Sequence, residues 1–304
     1  MNRRHFLTRN GALAATALCS ELTLRASVAA ECTPPSGVQL YTIRDLLQSD
    51  PRAALAALRD MGIVEGELYG LNGAENATLF GLPARELKTL CDANGIRVPL
   101  SHVGGALTNT AEIAAIARAL GVGTLVVALP NEFSGQRDGR FTMIPAESRA
   151  QLDQLAEKLN RAGREYREHG LTFGYHNHHI EFMPVEGIVP YDYLMSHTDP
   201  ALVKIELDLG WLAYAGQDPV AFIQRHAGRV IACHMKDYDA GIATDVPQRK
   251  LVEPGAGSID FSSVLGAMRT ANVAHGFIEI DVSDDPLGAV RRGSEHLQLL
   301  QAGA

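Results

Sequence analysis

Short apolar runs recur along this chain, each followed by a polar loop and then by apolar residues spaced three and four apart. The runs are Val38–Tyr41, Ile63–Leu68, Val98–His102, Thr124–Ala128, Thr172–His176, Val203–Leu207, Val230–His234 and Gly276–Ile280. Their apolar and β-branched content predicts strands, and the spacing between them predicts amphipathic helices. Asp50 is placed to cap a helix that has Pro51 at its first position, Leu55, Leu58 and Met61 on one face, and Gly62 as its stop. Asn109 or Thr110 caps another, with Ile113, Ile116 and Leu120 inward and Gly121 at its end. Pro145–His169 is the longest helical pattern, and Pro219–Ala227, Phe261–Ala271 and Pro286–Leu300 complete the set. Eight strands alternating with helices over about 265 residues predict an α/β fold, a closed (β/α)₈ barrel forming a single domain. The barrel is expected to span residues 36–302. An open doubly wound sheet is the alternative, but it would normally carry a glycine fingerprint after its first strand, where this chain reads Tyr41-Thr-Ile-Arg-Asp45. The later Gly255-Ala-Gly257 follows a polar loop rather than a strand and reads as a turn into the helix at Phe261.

The first thirty residues break this pattern. Asn2-Arg-Arg-His-Phe-Leu-Thr8 is followed by the weakly apolar Gly11–Cys19 and by the small residues of Ala26–Ala30. That order predicts a twin-arginine signal peptide over residues 1–30, cleaved near Ala30, and a periplasmic protein. Four arginines and one glutamate give this segment a net charge of +3, so the formal −8 of the whole chain leaves −11 for the remainder. So acidic a body disfavours nucleic acid and anionic membrane surfaces, and no membrane association is expected after cleavage. Three cysteines, Cys32, Cys91 and Cys233, would remain, which does not read as a disulfide framework. An oligomer is left open.

Candidate chemistry lies at the ends of the last four predicted strands. His176, Asp208, His234 and Glu279 each close an apolar run. In a parallel barrel such ends converge on one face, so residues far apart in sequence meet in one site. Two imidazoles and two carboxylates there predict one divalent metal. Mixed ligands of this kind suit Mn²⁺, Co²⁺, Zn²⁺ or Fe²⁺ better than Ca²⁺. Taken singly, each residue also has an ordinary structural reading; Asp208, for example, could simply cap the turn at Gly210.

Several stretches resemble the sugar phosphate isomerase/epimerase family of xylose-isomerase-like TIM barrels. They are Gln39-Leu-Tyr-Thr-Ile-Arg-Asp45, Ser101-His-Val103, Tyr175-His-Asn-His178 with Glu181-Phe182, Glu206-Leu-Asp-Leu-Gly-Trp211, Cys233-His-Met-Lys-Asp237, Pro254-Gly-Ala-Gly-Ser-Ile-Asp-Phe261 and Phe277-Ile-Glu279. The resemblance implies metal ligands at His176, Asp208, His234 and Glu279. It also implies proton abstraction beside a carbonyl, giving isomerisation, epimerisation or elimination. In the sugar epimerases of this fold a glutamate holds the place of His176, and the two ligand glutamates move the protons. The histidine here leaves Glu279, His178 or Glu181 as the base. By position, Lys236 could hold a substrate oxygen or stabilise an enolate, His102 could contact a hydroxyl, and Glu67 and Arg44 are further substrate contacts. Trp211 could stack on a sugar ring or roof the barrel.

The expected partner is a small unphosphorylated carbohydrate: a keto-sugar, glycoside or cyclitol. A phosphate site usually needs convergent arginines or a glycine-rich helix entry, and none is clear at these strand ends. Two other readings compete, a metal-containing sugar-binding barrel without catalysis and a metal-dependent endonuclease of the same superfamily. The second would need more ligands and a basic surface, against the acidic body.

Overall fold

The structure, a computed structural model, describes residues 37–72, 78–137 and 140–303. The signal peptide expected at residues 1–30 lies outside the described residues. Eight parallel strands close into a barrel: β1 (Gly37–Gln39), β2 (Glu65–Leu71), β3 (Leu100–Val103), β4 (Thr124–Val127), β5 (Thr172–His176), β6 (Lys204–Asp208), β7 (Val230–Met235) and β8 (His275–Ile278). Each strand pairs with its sequence neighbour, and β1 pairs with both β2 and β8 to close the ring. Closure depends on Gly37: a Cβ there would lie 2.5 Å from the Phe277 ring and 2.8 Å from the Gly276 carbonyl. The fold expected from the strand pattern is the fold observed.

The helices end where the local chemistry says they should. The Asp50 side chain accepts from the Ala53 amide at the start of Pro51–Asp60, with Pro51 in the first turn. Asn109 precedes Thr110–Leu120 without a capping side-chain bond, and Gly121 ends that helix in the left-handed region. Ser148 caps Arg149–Glu168, so the long helix starts four residues later than its sequence pattern suggested. Two short hairpins, Ser134–Arg137 with Arg140–Met143 and Thr78–Leu79 with Leu82–Pro83, were not anticipated. Both lie in loops outside the barrel wall. Among the described residues no helix is long and apolar enough to cross a membrane.

The barrel interior is layered. Leu100, Val126, Ala232 and Phe277 are fully buried and pack on one another as an apolar plug. Side chains alternate along a strand, so two residues further on the next inward positions lie nearer the C-terminal mouth. From β3, β7 and β8 these are His102, His234 and Glu279. The register sets Asp208 beside His234 and Glu206 beside His176, which brings in the two strands between. A dry plug below and a polar layer above position the site.

Candidate active site

The polar layer is one connected cluster. His234 lies between two carboxylates, with Nδ1 2.7 Å from Glu279 Oε2 and Nε2 2.7 Å from Glu67 Oε2. Glu206 Oε2 lies 2.8 Å from His102 Nε2, 3.1 Å from His176 Nδ1 and 3.4 Å from His234 Nε2. Asp208 Oδ2 is 3.6 Å from His176 Nε2 and 3.9 Å from His234 Nδ1. Its other oxygen accepts from the Trp211 amide at 2.9 Å and caps the helix Leu209–Tyr214. Capping and site roles therefore fall on different atoms of one residue. Lys236 reaches three carboxylates, Asp208, Glu279 and Asp281, at 2.9, 2.8 and 3.0 Å.

Burial and charge set the protonation states. Burial opposes the charge of Glu67, but His102 and His234 beside it hold its carboxyl down at about 2. Burial likewise opposes a charged His102, and Glu67 and Glu206 overcome it, raising the imidazole to about 10. Burial also works against charge on His234 and Lys236, yet the carboxylates around them raise both well above their usual values. Burial pushes His176 well below the usual histidine range and His178 down to about 3, so both rings are neutral. Burial lifts Asp281 to about 6.

The donor set fits a divalent cation. Atoms of Asp208, His234 and Glu279 converge within 4.8 Å of one another, as do atoms of His102, His176, Glu206 and His234. Glu206 Oε1 is buried and accepts no hydrogen bond; Asp208 Oδ2 and Glu67 Oε1 accept none of good geometry either, though Lys236 lies 2.9 Å from the first and His102 3.2 Å from the second. Five carboxylates share this cluster with one lysine, an excess of negative charge that buried groups tolerate only with added protons or a further cation. Asp208, His234 and Glu279 could hold such an ion, with His176 Nε2 3.6 Å from Asp208 as the nearest further donor.

Above the cluster opens a cavity of about 630 Å³, lined in part by His102, His176, His178, Glu279 and Asp281. Tyr41, Arg44, Tyr69, Met143 and Pro247 also line it. The expected site residues divide accordingly. His176, Asp208, His234 and Glu279 lie together, and His102, His178 and Arg44 line the cavity.

Four others take different places. Trp211 is 1% exposed and does not line the cavity; its ring stacks on His179 at 4.5 Å, so it roofs the barrel rather than meeting a sugar. Glu181 is turned away from the cavity, accepting from the Tyr175 hydroxyl at 2.7 Å and the His178 amide at 3.0 Å. Lys236 is buried under Asp208 and Glu279, with no face on the cavity. Glu67 contacts His102 and His234, not the cavity. Glu206 was missed as a site residue. The signal for it was alternation: it stands two residues before Asp208 and so shares its inward face.

Residues 55–300 match the xylose isomerase-like TIM barrel family, and the chain belongs to that family. It is similar to an inosose dehydratase of Geobacillus thermodenitrificans, 27% identical over 246 residues that cover 74% of this chain and 82% of the relative. It is also 32% identical over 143 residues to an inosose dehydratase of Clostridium beijerinckii, covering 43% of this chain and 47% of the relative. This second match spans about half the relative's length. Among solved structures, a sugar phosphate isomerase/epimerase from Parabacteroides distasonis superposes with a TM-score of 0.70 at 21% identity, over 86% of this chain and 92% of that one. That likeness concerns the fold.

Proposed function

We propose that this barrel is a metal-dependent enzyme that removes a proton beside the ketone of an unphosphorylated keto-cyclitol or keto-sugar. Elimination of a hydroxyl or glycosidic group from the next carbon is the favoured outcome, with isomerisation or epimerisation as the neighbouring chemistry. The observation that carries this reading is the convergence of Asp208, His234 and Glu279, with His176 Nε2 3.6 Å from Asp208, at a cavity that His176 and Glu279 line. Similarity to two inosose dehydratases supports elimination and a cyclitol ring. A bound divalent ion would supply Lewis-acid stabilisation of the negative charge that develops on the ketone oxygen.

The chain's own residues supply the rest. Glu279 and His178 face the cavity with lone pairs and are the proton acceptors in this reading. Asp281, on the same wall and tied to Lys236, is placed to give a proton to the departing oxygen. The proton passes to Glu279 or His178, the C–H electron pair becomes the C=C bond to the next carbon, and the C–O pair leaves with the oxygen, which takes the proton from Asp281. His102 on the wall offers a contact to a ring hydroxyl.

One observation and one reading of the sequence favour a neutral substrate. Among the described residues that line the cavity, Arg44 is the one arginine or lysine, so no second basic side chain converges with it as a phosphate clamp would need; its Nη1 donates to the Tyr41 carbonyl at 3.0 Å and its guanidinium lies 4.2 Å from the Tyr41 ring centroid. The twin-arginine signal read at residues 1–30 would also take the protein away from the phosphorylated sugars of the cytoplasm. The test offers Mn²⁺- or Co²⁺-loaded protein an inosose, a neutral keto-glycoside and a keto-sugar phosphate, and follows product formation. Turnover of a neutral compound is expected, and turnover of the phosphate alone would refute the reading. Export is tested separately by Arg3→Lys with Arg4→Lys, which should retain the protein in the cytoplasm.

A further inference from the structure

His234 and His176 each turn one ring nitrogen toward the upper donor group and the other toward a buried carboxylate beneath it. For His234, Nδ1 faces Glu279 at 2.7 Å and Asp208 at 3.9 Å, while Nε2 faces Glu67 at 2.7 Å. For His176, Nε2 faces Asp208 at 3.6 Å, while Nδ1 faces Glu206 at 3.1 Å. We propose that Glu67 and Glu206 are positioning residues that select the metal-binding nitrogen of each imidazole: Nδ1 of His234 and Nε2 of His176. The inference rests on the metal reading above and deepens it.

A neutral imidazole has one N–H and one lone pair, and an ionised carboxylate can only accept. Without an ion, His234 has a carboxylate at 2.7 Å on each nitrogen and can donate to both. With an ion between Asp208 and Glu279, the His234 Nδ1 proton would be displaced, and the N–H of each ring would remain on the nitrogen that faces Glu67 or Glu206. A carboxylate on the far side of a ligating histidine also stiffens the ring and raises its basicity, and loss of such a partner typically costs about 10–100-fold in metal affinity. Glu67 and Glu206 are both fully buried, so their place is set by their donors rather than by solvent. His102 ties the two together, with Nε2 3.2 Å from Glu67 and 2.8 Å from Glu206.

The same lower atoms could instead be read as a second cation site among His102, His176, Glu206 and His234. That would oblige His234 to give both nitrogens to metals while its Nε2 stays 2.7 Å from a Glu67 oxygen. One ion with two orienting carboxylates accounts for every contact without stripping the ring of both protons.

The test has two arms. In the first, ¹⁵N-histidine NMR of the intact Zn²⁺-loaded protein should show His234 bound through Nδ1 and His176 through Nε2, with one ion per chain. In the second, Co²⁺ affinity is measured by titration. Glu206→Leu should bind about 10–100-fold more weakly and Glu206→Gln, whose carbonyl can still accept, should recover most of the loss. In a His176→Ala background, Glu206→Leu should cost no more, because its effect passes through that ring. The opposite nitrogens, two ions per chain, or an equal loss in the His176→Ala background would each overturn the proposal. A wild-type protein that takes up no divalent ion at all would instead remove the metal reading on which it stands.

Discussion

At the scale of single residues, Lys236 stands out because its ammonium group is buried among three carboxylates. Removing one partner of a buried charge cluster typically costs about 3–5 kcal/mol, since the remaining charges cannot reach water. Lys236→Met should therefore destabilise the ion-free protein by about that much, read as a drop in the midpoint of urea unfolding. Added Mn²⁺ should restore much of it by supplying positive charge to Asp208 and Glu279. An unchanged midpoint would mean that the cluster is balanced some other way. Glu181 gives a second prediction. Burial raises its carboxyl from 4.5 to about 7 in the folded protein. The folded state thus holds a proton that the unfolded chain has released. The stability from that proton is fully present below about 4.5 and is lost as pH rises through about 7, a change of about 3 kcal/mol. Glu181→Gln cannot ionise, and its amide can still serve Tyr175 and the His178 amide. Its stability relative to wild type should rise by about 3 kcal/mol between pH 4 and pH 8. Parallel pH profiles for the two proteins would show that Glu181 is not perturbed.

At the scale of elements, two stretches far apart in sequence prove to be one unit. Asp237, just past β7, accepts from the amides of Tyr238, Gly255, Gly257 and Ile259. A Cβ on Gly257 would lie 2.4 Å from the Asp237 carboxylate, so that contact requires glycine. The segment so pinned carries Pro247 and Gln248 to the cavity wall. Asp237→Asn puts an NH₂ group against two of these donors. It should cost at least about 1.5 kcal/mol per lost charge-assisted bond. Limited proteolysis should then cut between residues 239 and 259 while the barrel stays resistant, and KM should rise more than kcat falls. A protease pattern identical to wild type would remove Asp237 from this role. Strands and helices were legible because apolar runs and helix caps repeat so regularly: the strand Thr172–His176 and the helix Phe261–Ala271 fall where the pattern put them. Boundaries drifted where a strand end is polar, as at β2, which runs to Leu71 through Tyr69 and Gly70. The short hairpins escaped because their strands are only two to four residues long, too short to establish a period.

At the scale of the whole molecule, strand order does the chemical work by bringing the ends of β2, β3, β5, β6, β7 and β8 into one polar layer. That convergence could be read from sequence for His176, Asp208, His234 and Glu279, because each closes an apolar run. Depth could not be read. Glu67 and Glu206 lie beneath the mouth, and Trp211 and Glu181 turn away from it, because packing against His179 and Tyr175 decides their direction and neither contact is local in pattern. The central claim is that one divalent ion held in this layer supports proton removal beside a ketone. It is tested most directly by joining two readings on a single preparation purified without chelator: elemental analysis, and NMR of an inosose incubated with the protein in ²H₂O. The account predicts close to one transition metal per chain and exchange of the hydrogen beside the ketone, with both lost in His234→Ala. Metal-free protein with full exchange, or metal-loaded protein with no exchange in any neutral keto compound, would contradict it.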